Sequence, residues 1–163
     1  MALAPNPPLR SLALVLFYGY VLLLIAAGAW GIVGARVDLP WLLGVHLEAL
    51  PDRARADLLS QYRFLRAMEL AFGLFALRFR REIFTAGVHN GLFLFGMGAG
   101  VVARLWSLAA DGRPSILMLL FLGWELVGVC VIAVTTRMAR QEDGRWRTTR
   151  AQRLGPTRAN GVR

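Results

Sequence analysis

Residues 96–125 read GMGAGVVARLWSLAADGRPSILMLLFLGWE, and the fold follows from how this stretch is parsed. It divides into the end of one apolar helix, a polar turn at Asp111, Gly112, Arg113 and Pro114, and the first half of a second apolar helix. Glycine accepts positive φ and proline suits the first turn of a helix, so this tetrapeptide ends one helix and starts the next. Each helix carries one charge within its apolar run, Arg104 before the turn and Glu125 after it. A charged side chain inside a membrane span costs from about 2.5 to more than 10 kcal/mol, so it is rarely left alone. The hairpin is therefore expected to pair Arg104 with Glu125.

The rest of the chain extends this pattern in both directions. Of 163 residues 56% are apolar and the mean hydropathy is +0.51, which suits a membrane domain. About 20 apolar residues cross a bilayer, and four runs approach that length, at about 11–34, 58–79, 84–110 and 115–136. The expected fold class is all-α, an integral membrane four-helix up-down bundle. Residues 1–10 form a lead, 11–137 the membrane domain and 138–163 a basic tail. A secretory signal is the rival reading of the first run, but signal cores are only about 7–15 residues long, and this run is longer. Between spans one and two, residues 41–50 lie between Pro40 and Pro51. Too short to cross, they are expected to form an interfacial helix anchored by Trp41. His46 and Glu48 fall here; two ligands do not make a metal site, and a solvated polar face is the simpler reading.

Charge is distributed unevenly. The net charge is +9, and all 19 basic residues are arginine, eight of them after residue 136. Four spans would put both termini and the Arg78, Arg80, Arg81 turn on one side, and the excess of arginine there assigns that side to the cytoplasm, the membrane being a bacterial inner membrane. The tail, interrupted by Gly144, Gly155, Pro156 and Gly161, is expected to be mobile beyond about Glu142 and drawn to anionic lipid, with Trp146 dipping into the headgroups. It lacks the folded basic face with interleaved aromatics that nucleic acid requires.

Span two opens with Arg63, Arg66 and Glu69 on one helical stripe. Counted at 1.5 Å per residue from the outer ends of the runs, Arg104 lies roughly 8 Å in, Arg66 roughly 13 Å, and Glu69 and Glu125 roughly 16–18 Å. These four with Arg63 form a candidate intramembrane polar cluster for a lipid headgroup or amphipath. The plainer alternative is an ion-pair network that fixes helix register. Gly87 and Gly91, and Gly96 and Gly100, stand at the four-residue spacing that lets another helix pack closely. Gly28, Gly31 and Gly34 recur every three residues and permit the same, or loosen the helix end.

Cys130 excludes an internal disulfide and a cysteine-based zinc site. There is no phosphate-binding loop, nucleophile elbow, HExxH or CxxC, so no catalytic residue, metal or cofactor is implied.

The runs GAGVVARLWSLAADGRPS and RFLRAMELAFGLFAL, with the acidic residue that follows in the next helix, resemble a family of small bacterial four-helix membrane proteins catalogued as a domain of unknown function. The resemblance covers roughly residues 10–137 and is most specific at Arg104, Asp111 to Pro114 and Glu125. Family members often carry glycines where this chain has Arg66-Ala67-Met68-Glu69. The resemblance implies a four-helix bundle and no established activity. Two functions are expected: a lipid- or amphipath-binding protein or accessory subunit of a larger membrane complex or homo-oligomer, or a small membrane enzyme using Glu69 or Glu125 to move a proton on a lipophilic substrate.

Overall fold

The computed structural model describes residues 7–85 and 87–154, and for 142–154 the backbone alone. All regular structure among these residues is helical: α1 (Pro7–Leu43), a 3₁₀ turn (Leu47–Ala49), α2 (Asp52–Arg78), α3 (Arg80–Ile83), α4 (Val88–Ala110) and α5 (Ile116–Leu154). Among the described residues three helices are long and apolar enough to cross a membrane: α1 from Pro8, α4 and the Ile116–Gln141 part of α5. The fourth run belongs to α2, whose first half carries Asp52, Arg53, Arg55, Asp57, Arg63 and Arg66 and is too polar to qualify by composition. The described residues divide into two compact units, residues 15–80 and residues 7–14 with 81–154.

In the first unit α1 and α2 run antiparallel. Asp38 meets Tyr62 at one end of the contact, and Ile25 lies against Gly73 at the other. The helices touch backbone to backbone: a Cβ added at Gly28 would come within 2.6 Å of the Leu70 amide nitrogen and 2.7 Å of the Arg66 carbonyl oxygen. Beyond that contact Ala35, Leu39, Leu47, Leu59 and Tyr62 make a small apolar core that fastens the connecting loop to both helices.

Two expectations fail here. Residues 41–50 are not a separate interfacial helix, because α1 runs through Pro40 to Leu43 and only Leu47–Ala49 coil afterwards. Proline inside a helix forfeits one hydrogen bond, and one turn still forms beyond it. The terminator is Gly44, at φ 66°, whose N–H donates to the Pro40 carbonyl at 3.0 Å. This is the left-handed glycine cap. The second concerns where α2 starts. Since α2 begins at Asp52, Arg66 and Glu69 stand about 21 and 26 Å along it, well beyond the distances counted from residue 58.

In the second unit Phe93, Met97 and Val101 form the buried stripe of α4, and Leu122, Glu125 and Ile132 that of α5. Asn90 donates its Nδ2 to the Ile83 carbonyl at 2.6 Å and ties α3 to the start of α4. The turn between α4 and α5 forms where expected: Asp111 caps α4, its N–H donating to the Ser107 carbonyl at 2.8 Å, and Gly112 takes φ 95°. Pro114 stands just before α5, and Ser115 starts the helix by accepting the Met118 N–H at 3.5 Å on its Oγ.

The tail is helical further than the sequence suggests. Residues 137–154 continue α5 without a break, so the backbone beyond Glu142 is helical. Gly144 costs a helix only about 1 kcal/mol, and Arg, Gln and Ala around it are good helix formers. Gly155, Pro156 and Gly161 lie outside the described residues, as does the Trp146 side chain.

Candidate functional site

Each unit holds one of the candidate ion pairs. On α2, Arg66 donates its Nη1 to Glu69 Oε2 at 2.7 Å across one helical turn. Its Nη2 donates to the Tyr62 hydroxyl at 2.6 Å, and its guanidinium stands 4.8 Å from the centre of the Tyr62 ring. Tyr62 in turn donates to Asp38 Oδ2 on α1 at 3.1 Å, while Trp30 Nε1 donates to Asp38 Oδ1 at 2.8 Å. The result is a chain, Trp30–Asp38–Tyr62–Arg66–Glu69, in which a carboxylate only 6% exposed accepts two donors. A buried acceptor needs such partners.

Gly31 makes room for it. A Cβ there would fall within 2.5 Å of Arg66 Cγ and 2.7 Å of its Nε, so the arginine stem lies across bare backbone of α1. That passage buries the Arg66 Nε with no hydrogen-bond acceptor. Arg63, the remaining member of the expected cluster, is exposed and donates its Nε to the Ile32 carbonyl at 3.2 Å.

Asp38, Tyr62 and Trp30 join this polar chain without standing out in the sequence. With span one ending near Gly34, Asp38 belonged to a loop. The available signal was the persistence of the apolar face through Ala35 and Leu39, which keeps Trp30 and Asp38 on one helix two turns apart.

On the other hairpin Arg104 donates Nε to Glu125 Oε2 at 2.9 Å and Nη2 to Oε1 at 3.4 Å. This forked geometry is the strong form of an arginine–carboxylate pair. The Arg104 Nη1 points to Met118 Sδ at 3.7 Å. The partners are unequally covered, the Glu125 side chain 10% exposed and that of Arg104 36%.

A Cβ at Gly87, Gly91 or Gly100 would meet no atom within 4 Å, whereas Gly28 and Gly73 make the close approach in this chain. Among the described residues no group of three or more His, Cys, Asp and Glu side chains could hold a metal ion.

The family described as Domain of unknown function (DUF4345) matches residues 10–135. The chain belongs to that family. The match spans both hairpins and stops near the end of the apolar part of α5, close to the limits that the resemblance of Arg104, Asp111 to Pro114 and Glu125 suggested. No curated protein and no solved structure matches the chain.

Proposed function

We propose that this DUF4345 protein works by binding, as a multi-pass membrane protein that holds a lipid or other amphipath, or docks on a larger membrane complex, and that it is not a catalyst. One observation carries the reading: both carboxylates that could have moved a proton are occupied. Glu125 takes two N–H groups of Arg104, and Glu69 takes one of Arg66. A general acid or base must reach its substrate's proton at hydrogen-bond distance, and three of these four oxygens face their own arginines.

The topology we propose is a four-helix up-down bundle in the inner membrane of a bacterium, with α2 as the fourth crossing and both termini cytoplasmic. Antiparallel pairing of α2 with α1 supports the fourth crossing. Arg78, Arg80 and Arg81 together with the arginines after residue 136 support the orientation. The helical continuation of α5 carries those arginines to the anionic leaflet surface, where each contributes about 1 kcal/mol.

Native mass spectrometry of the gently extracted protein tests the proposal. A retained amphipath or a co-purifying membrane subunit is the expected result. A bare chain that turns over a lipophilic substrate, and loses that turnover in Glu69→Gln or Glu125→Gln, would overturn it.

A further inference from the structure

The outer end of the α1–α2 hairpin carries a cleft of about 230 Å³ lined by Arg36, Pro40, His46, Leu47 and Glu48. Pockets for whole small molecules run from about 300 to 1,000 Å³, so this one suits the polar end of a ligand and not its whole body. Its charges are unequally engaged. Glu48 is tied to Arg55, which also pairs with Asp52. Arg36 has no hydrogen-bond or ion-pair partner among the described residues and is exposed, as is His46. The cleft thus presents a free guanidinium and an imidazole, while its one carboxylate, on the 87% exposed Glu48, shares Arg55 with Asp52 and stands out in solvent.

Directly beside Arg36 on α1 runs an apolar stripe at four-residue spacing: Val33, Val37 and Trp41, exposed by 77%, 62% and 79%. On a helix these stand one above another, and Arg36 and Pro40 flank them on the cleft side. The level is interfacial. At 37 residues α1 is about 56 Å long, against a hydrocarbon core of about 30 Å, so with its apolar run in the core its C-terminal turns reach the headgroups. Tryptophan is enriched there.

Resting on the binding function proposed above, we infer that this cleft is a phospholipid site. Arg36 and His46 hold the headgroup phosphate, the acyl chains run from Val37 past Val33 toward the core, and Trp41 packs against the glycerol and headgroup level. Guanidinium–phosphate contacts are charge-assisted and forked, which gives selectivity for a phosphate over an uncharged headgroup.

The test is a lipid titration of the full chain in dodecylmaltoside micelles, read by native mass spectrometry, with dioleoyl phosphatidic acid and dioleoylglycerol as probes. The wild type is expected to bind phosphatidic acid at least about tenfold more tightly, a difference of about 1.4 kcal/mol. Arg36→Gln, an exposed change whose fold is checked by circular dichroism, removes that preference. Arg53→Gln, on the same hairpin but outside the cleft, keeps it, and Trp41→Ala weakens both lipids together. Millimolar inorganic phosphate leaves the lipid in place; displacement by phosphate alone would assign the cleft to a free anion and overturn the lipid site. If the wild type holds phosphatidic acid and Arg36→Gln holds it as tightly, the cleft assignment falls while the binding function stands. If the wild type holds neither lipid, the site falls, and the binding function then depends on a co-purifying partner.

Discussion

The two hairpins solve the problem of a charge among apolar helices in opposite ways. In α1–α2 the backbones touch at Gly28 and Gly73, and the polar groups thread the narrow space as a chain of five side chains centred on Asp38. In α4–α5 one long arginine reaches across to one glutamate, and the nearest comparable glycine contact, Gly128 to Met97 Cε at 3.4 Å, is ordinary van der Waals packing. Close backbones leave no room for two long side chains to meet at the interface, so short donors and acceptors, Trp30, Asp38 and Tyr62, do the joining. In α4–α5, where no described glycine brings the backbones into such contact, Arg104 does the joining. The first arrangement spreads its polar contacts over several groups and one hub; the second concentrates them in a single pair.

The largest effect is expected at the hub. Asp38→Ala leaves the buried Tyr62 O–H without an acceptor, at about 1–3 kcal/mol, and removes the hydrogen bond of the half-exposed Trp30 N–H to a charged acceptor, at about 1.5–3 kcal/mol. A loss of about 3–5 kcal/mol in detergent unfolding is expected. A loss below about 1 kcal/mol would show that the chain of bonds contributes little to the hairpin.

Next comes an asymmetry in the second hairpin. Arg104→Met strands a glutamate whose side chain is only 10% exposed and is expected to cost about 2–4 kcal/mol, a discount on a fully buried pair for the exposure of the arginine. Glu125→Leu frees an arginine that can turn its guanidinium toward the headgroups, and should cost about 1 kcal/mol. Equal costs would mean the two partners share one environment.

Smaller still is the contrast between glycines. Gly28→Ala drives a methyl against the backbone of α2, a clash of the overpacking kind worth about 1–3 kcal/mol. Gly91→Ala and Gly100→Ala, in open space on α4, are expected to be neutral or to stabilise by up to about 1 kcal/mol through helix propensity. In unfolding assays on the isolated protein, destabilisation at 91 or 100 matching that at 28 would erase the distinction. Removal of residues 142–163 should change bundle stability least, by less than about 0.5 kcal/mol, while lowering helicity measured by circular dichroism.

These differences also explain what could be read from the sequence. Arg104 and Glu125 flank a short turn with unambiguous chemistry, so their register follows from local rules that Asp111 and Gly112 obey. The family assignment rests on the same residues. Asp38 was hidden because Pro40 and Pro51 look like helix boundaries, whereas helix α1 stops at Gly44, whose positive φ is a backbone requirement that a list of apolar runs does not register. Arg66 and Glu69 stood out as charges, but the partner that ties them to α1 is Tyr62, a residue equally at home in a core. The tail is helical as far as Leu154 because only Gly144 of its helix breakers falls within that stretch and the Arg, Gln and Ala around it are good helix formers. Arg36 and His46 were visible as residues, and their shared cleft appears only once the loop is folded back on α1.

The claim that each hairpin closes its own charges is tested most directly by a double-mutant cycle on Arg104→Met and Glu125→Leu, measured by reversible unfolding of the protein in micelles. The account gives a double variant less destabilised than Arg104→Met alone, because it no longer strands a buried carboxylate, with a coupling of at least about 1 kcal/mol. Additive losses would contradict it, since they would mean that the 2.9 Å contact between Arg104 and Glu125 contributes nothing that either residue does not contribute alone.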